Sequence, residues 1–179
     1  MANSFIALLR GVMPTGKNKV PMARLRETVS AAGYEKVRTY IQSGNLLLES
    51  SKSRQETAEH LRRLIREQIG PDLPVILRTP QEIQKALDEN PFNEGFLRER
   101  VFYVFPETKI AEETLAELAA RDFGEDLLRA GDGVLYLYIP GSAARTKLNN
   151  NFLERACKTA CTTRNRNTLE KLVELSQEG

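Results

Sequence analysis

The run Ser4-Phe5-Ile6-Ala7-Leu8-Leu9 is apolar after its first residue and stops at Arg10-Gly11, ahead of the polar stretch 13–19. That pattern predicts a short strand followed by a loop. Pro21 suits the first position of a helix, and Met22, Leu25, Arg26 and Val29 carry helical spacing through Ala32 to a stop at Gly33. Val37 to Ile41 and Leu46 to Leu48 then read as strands joined through Gln42-Ser43-Gly44-Asn45. Ala58, Leu61, Leu64, Ile65 and Ile69 mark a second helix, and Val75-Ile76-Leu77 a further strand after Pro74. The predicted order is β-α-β-β-α-β.

Past Pro80, Ile83, Ala86 and Leu87 predict a short helix, 101–105 a strong strand, and Ala111, Leu115, Leu118 and Ala119 another helix. Asp132-Gly133 is a turn before a strand over 134–139, which Pro140-Gly141 ends; helices follow over about 147–156 and 167–178. The expected fold class is therefore α+β: two ferredoxin-like, split βαβ portions with antiparallel sheets. The expected domains are 1–80, ferredoxin-like, and 81–179, mixed α/β with terminal helices. A doubly wound nucleotide fold fits less well, because two strands adjoin through a short turn and no glycine fingerprint follows the first.

Composition narrows the class. With 41 % hydrophobic and 28 % charged residues the chain is a folded one, and no stretch approaches the roughly 20 apolar residues of a membrane span. The expected location is the cytoplasm, with no membrane partner. Two cysteines exclude a disulfide scaffold, and a single histidine leaves a zinc site without its usual ligands, so neither metal nor cofactor is expected.

Net charge is +2, but it is unevenly spread: +6 over residues 1–80, −7 over 81–140 and +3 over 141–179. If the two basic ends met, they would form one positive cleft.

The strings 7–11 (Ala-Leu-Leu-Arg-Gly), 16–22 (Gly-Lys-Asn-Lys-Val-Pro-Met) and 39–45 (Thr-Tyr-Ile-Gln-Ser-Gly-Asn) together carry a family resemblance. Asn90-Pro91-Phe92, Thr146-Lys147-Leu148-Asn149-Asn150, 152–155 and 162–168 extend it along the chain. The sequence resembles the bacterial family catalogued as domain of unknown function 1697. The resemblance implies two ferredoxin-like portions and no established reaction, cofactor or partner. Departures include Pro14 and Thr15 in a loop the family fills with Val-Gly, Thr146 for a common serine, and Arg166 for a frequent tryptophan.

Arg10, Lys17 and Lys19 around the first loop are candidate anion ligands, since guanidinium and ammonium groups meet phosphate oxygens. Gly16-Lys17 is not a Walker motif. Tyr40, Gln42 and Asn45 end a strand where they could stack on and read a base, or simply close a tight turn. Lys147, Arg164, Asn165, Asn167 and Thr168 form a second polar set. Thr168 or Asn167 is expected to cap the last helix, whose first amides attract negative charge.

His60 reads as a helix-surface residue, Cys157 and Cys161 as packing residues outside the redox Cys-x-x-Cys spacing, and 112–113 and 125–126 as a solvated acidic face. The leading expectation is a binding protein for an anionic, nucleotide-like ligand, a phosphate-bearing small molecule. An enzyme acting on a phosphorylated metabolite or nucleic acid, and a non-specific nucleic-acid-binding protein, are the alternatives.

Overall fold

The computed structural model describes residues 1–178 and divides into two compact units. The first takes in Met1–Glu82 and the chain from Leu172 onward; the second is Ile83–Lys171. The final stretch, grouped with the second domain on sequence, thus belongs to the first unit.

In the first unit the order is β1 (Asn3–Leu9), α1 (Met22–Ala31), β2 (Glu35–Tyr40), β3 (Asn45–Ser50), α2 (Arg54–Gln68) and β4 (Val75–Arg78). The strands form one antiparallel sheet in the order β2-β3-β1-β4. Phe5, Ala7 and Leu9 of β1 pack with Leu25 and Val29 of α1 and Leu61 and Ile65 of α2. Ile6 and Leu8, on the other face, are also buried, so β1 reads as an unbroken apolar run rather than an alternating one.

Helix α2 begins on a capping box. The Ser53 hydroxyl accepts from the Glu56 amide at 3.2 Å, and the Glu56 carboxylate accepts from the Ser53 amide at 2.9 Å. From β2, Arg38 donates to the carbonyls of Leu175 and Glu178, which ties the last residues to this sheet.

Helix α3 (Pro80–Asp88) comes next, with Thr79 and Glu82 forming a second reciprocal cap at 3.1 and 2.8 Å. The second unit then runs through β5 (Val101–Pro106), α4 (Glu112–Ala120), β6 (Leu127–Ala130), β7 (Leu135–Tyr138), α5 (Asn150–Cys157), β8 (Cys161–Asn165) and the start of α6 (Arg166–Gln177), whose residues from Leu172 on are counted with the first unit. Its antiparallel sheet has the order β6-β7-β5-β8, the same pattern position for position as the first. Val104, Leu128, Leu135, Leu137 and Leu153 centre its core. Two strands, β6 and β8, were not expected from sequence. Among the described residues no helix is long and apolar enough to cross a membrane.

The other face of this sheet holds Tyr103 opposite both Tyr136 and Arg164, the two rings meeting edge to face at 5.5 Å. The Tyr136 hydroxyl donates to the Ala86 carbonyl at 2.8 Å. The Tyr103 hydroxyl is buried without a hydrogen-bond partner among the described residues, and that burial pushes its pKa up although Arg166 lies close by.

Two otherwise identical deletions are therefore expected to diverge. Tyr136→Phe strands a buried carbonyl and should cost about 1 to 2 kcal/mol. Tyr103→Phe removes an unpaired buried hydroxyl and should leave stability unchanged or raise it by up to about 1 kcal/mol. Denaturant midpoints of the two variants check the contrast.

Candidate functional site

Three segments meet at one end of the first unit's sheet. The Leu9 amide donates to the Gly44 carbonyl at 2.9 Å, and the Arg10 amide to the Pro74 carbonyl at 3.0 Å. Gln42 Nε2 donates to the Val20 carbonyl at 2.8 Å, which fastens the β2–β3 turn to the loop entering α1. Asn45 is fully buried; its Nδ2 donates to the Tyr40 carbonyl at 3.1 Å and to Ser43 Oγ at 2.9 Å, bracing the turn from inside. Arg10, Lys17, Lys19, Tyr40, Gln42 and Asn45 are thereby gathered in one region, with Gln42 and Asn45 engaged in holding its backbone.

The packing here is close. Gly44 has φ +88°, and a Cβ on it would lie 2.7 Å from Val12 Cγ2 and 2.9 Å from Leu9 Cβ. Ile41 has φ +49°, an uncommon conformation for a β-branched side chain, and it stays 49 % exposed. Such strain costs about 1 to 3 kcal/mol and collects at functional sites. Met13, 53 % exposed, stands on the facing loop.

The electrostatics are one-sided. From residue 10 to residue 26 there are five cations, Arg10, Lys17, Lys19, Arg24 and Arg26, and no carboxylate. Lys17 and Lys19 are exposed, and neither has a carboxylate partner among the described residues. Arg24 donates to the Gln68 carbonyl and Arg26 to the Thr39 hydroxyl, both neutral acceptors. Helix α1 starts at Pro21 with no side-chain cap and no acid in its first turn, so its amide end adds positive potential. Met13, Arg24, Arg26 and Ile41 were not singled out on sequence. The acid-free stretch is visible by counting charges, whereas the Ile41 backbone has no sequence signature.

The second polar set lies in the second unit. Lys147, Asn165 and Asn167 are exposed, while Thr168 and Arg164 are buried. Arg164 donates to Thr162 Oγ1 at 2.5 Å and to the Thr163 carbonyl at 3.1 Å, and burial pushes its guanidinium down to about 10. Asn165, rather than Asn167 or Thr168, caps α6: its Oδ1 accepts from the Thr168 amide at 2.9 Å. Thr146 donates to Asp126 and accepts from the Leu148 amide at 3.1 Å, a turn that leads to the Asn149 cap of α5.

His60, on α2, lies 2.6 Å from the Tyr34 hydroxyl through Nδ1, and Lys52 sits over the Tyr34 ring. Burial, followed by the charges of Arg63 and Lys52, holds the imidazole below its ordinary value. No group of three or more His, Cys, Asp or Glu residues suited to a metal occurs among the described residues.

The family model described as protein of unknown function (DUF1697) matches residues 2–136. Among solved structures, the conserved bacterial protein SP0830 from Streptococcus pneumoniae is similar in fold. Its TM-score is 0.79 and its identity 23 %, over 99 % of this chain and 100 % of that one. No curated protein matches the chain.

Gly44→Ala combines a positive φ with contact under 3.0 Å and should cost about 2 to 4 kcal/mol. Gly16→Ala, at φ +81° in open space, should cost only about 1 kcal/mol, and urea titration separates them.

His60 sets a pH dependence. Between its depressed folded value and its ordinary 6.5, the folded state binds fewer protons than the unfolded chain. This contribution is therefore complete above the ordinary value and is lost as the pH falls through the folded one. His60→Asn, which keeps an acceptor for Tyr34, should flatten the urea midpoint over roughly pH 5 to 7.

Proposed function

The chain belongs to that family of proteins of unknown function, and from its own geometry we propose that it binds an anionic, nucleotide-like ligand at the loop end of the first unit's sheet. The observation that carries this reading is the acid-free stretch 10–26, with exposed Lys17 and Lys19 beside the uncapped start of α1. Phosphate oxygens would accept charge-assisted hydrogen bonds from these groups and from Arg10. Tyr40, Ile41 and Met13 offer the apolar surface that a base or ribose requires, which favours a nucleotide over a bare inorganic anion. Energy spent on holding Ile41 in its strained outward conformation is accounted for if that side chain meets a ligand.

We read each unit as ferredoxin-like. The sheet orders β2-β3-β1-β4 and β6-β7-β5-β8, with two helices packed on one face of each, support a split βαβ. The βα loop and the hairpin turn then share a sheet end, as this site requires. In the second unit Arg164 is buried and bonded to its own strand, so the reading rests on the first unit alone. A cytoplasmic location fits two free cysteines in a chain of this size.

The reading is tested by isothermal titration with pyrophosphate, then with nucleoside mono-, di- and triphosphates. Saturable binding is expected, and Lys17→Gln with Lys19→Gln should weaken it at least about tenfold. Heat that is absent for every phosphate-bearing ligand, or unchanged in the double variant, refutes the assignment. Binding confined to oligonucleotides, with affinity falling steeply with salt, would replace it with nucleic-acid association.

A further inference from the structure

Cys157 closes α5 and Cys161 opens β8, and only residues 158–160 separate them. Lys158 ends the helix in the left-handed conformation at φ +57°, turning the chain back so that both cysteines enter the same apolar cluster as Val104 and Leu153. Cys157 is 7 % exposed and Cys161 is fully buried.

The backbone around them is fixed. The Cys161 amide donates to Glu154 Oε2 at 2.9 Å, and the Ala160 carbonyl accepts from the Glu107 amide at 2.8 Å. Cys161 pairs with Pro106 in the sheet ladder. The Cys161 thiol lies within 3.6 Å of the Thr159 carbonyl and within hydrogen-bonding reach of Cys157. That second contact favours the Cys157 thiolate against the opposing effect of burial.

Two thiols that enter one apolar cluster across a three-residue turn are placed to react with each other more readily than with anything in solution. We propose that Cys157 and Cys161 form a reversible dithiol–disulfide site whose oxidant is hydrogen peroxide, a molecule small enough to reach Cys157, the less deeply buried of the two. The Cys157 sulfur attacks one peroxide oxygen; the O–O bond breaks, a sulfenic acid forms, and the other oxygen leaves as water. The Cys161 sulfur then attacks the Cys157 sulfur and expels hydroxide, which departs as a second water with the Cys161 proton. Two thiols are oxidised, one hydrogen peroxide is reduced to two waters, and an external dithiol reverses the change. The bond would tie the last residue of α5 to the first of β8. This inference is independent of the anion site, which lies in the other unit.

The test is treatment of the reduced full-length protein with hydrogen peroxide, followed by intact mass before and after dithiothreitol. A monomer lighter by about 2 Da, restored by the reductant, is expected. In Cys161→Ser, dimedone should trap a sulfenic acid at Cys157, while Cys157→Ser should give no adduct; alanine variants serve if either serine unfolds the core. The proposal is overturned if both thiols still alkylate fully in denaturant after oxidation. Disulfide-linked dimers, or sulfinic acid without an internal bond, overturn it equally.

Discussion

Strand β1 must hide both of its faces. It lies between β3 and β4, with Phe5, Ala7 and Leu9 turned to one side and Ile6 and Leu8 to the other, and all five side chains are out of solvent. A central strand in that position has no freedom of register, because a slip by one residue would exchange the two sets. Its end is equally determined. The chain leaves β1 at Arg10 against the Pro74 carbonyl and beside Gly44, and every group of the candidate site follows from where that exit falls. Strand β5 occupies the equivalent place in the second unit, flanked by β7 and β8.

The loop end of the first unit departs from the economy of the rest. Four other helices are capped by their own side chains, Ser53 for α2, Thr79 for α3, Asn149 for α5 and Asn165 for α6, and α4, which has no such cap, carries Glu112 and Glu113 in its first turn. Helix α1 lacks such a cap, its approach carries cations without acids, and Ile41 stands in a backbone conformation that aliphatic side chains avoid. Several local choices that run against folding, gathered at one sheet end, point to a demand other than folding.

The major elements could be read from the sequence where pattern and burial coincide. The unbroken run of β1 and the helical stripe Leu61, Leu64, Ile65 of α2 are cases in point. Strand β8 escaped because Thr162, Thr163, Arg164 and Asn165 look like a surface loop; they are extended because β5 offers a partner, and pairing hides Thr162 and Arg164. Strand β6 is too short, at four residues, to show alternation. The string around Gln42 and Asn45 was recognisable as a marker, but its residues proved to be bonded inward to Val20, Tyr40 and Ser43. Side-chain type announces that a polar group is present; only the fold decides whether it faces a ligand or its own backbone.

The first unit is discontinuous along the chain, and this bears on the order of events during synthesis. Arg38 of β2 bonds the carbonyl of Leu175, a partner 137 positions later. At ribosomal rates of about 5 to 20 residues per second, the 89 residues of the second unit take about 4 to 18 seconds to emerge. Throughout that interval the first sheet exists without its closing segment, whereas the second unit, continuous from 83 to 171, leaves the ribosome with its own strands already complete. The unit begun earlier is the one finished later.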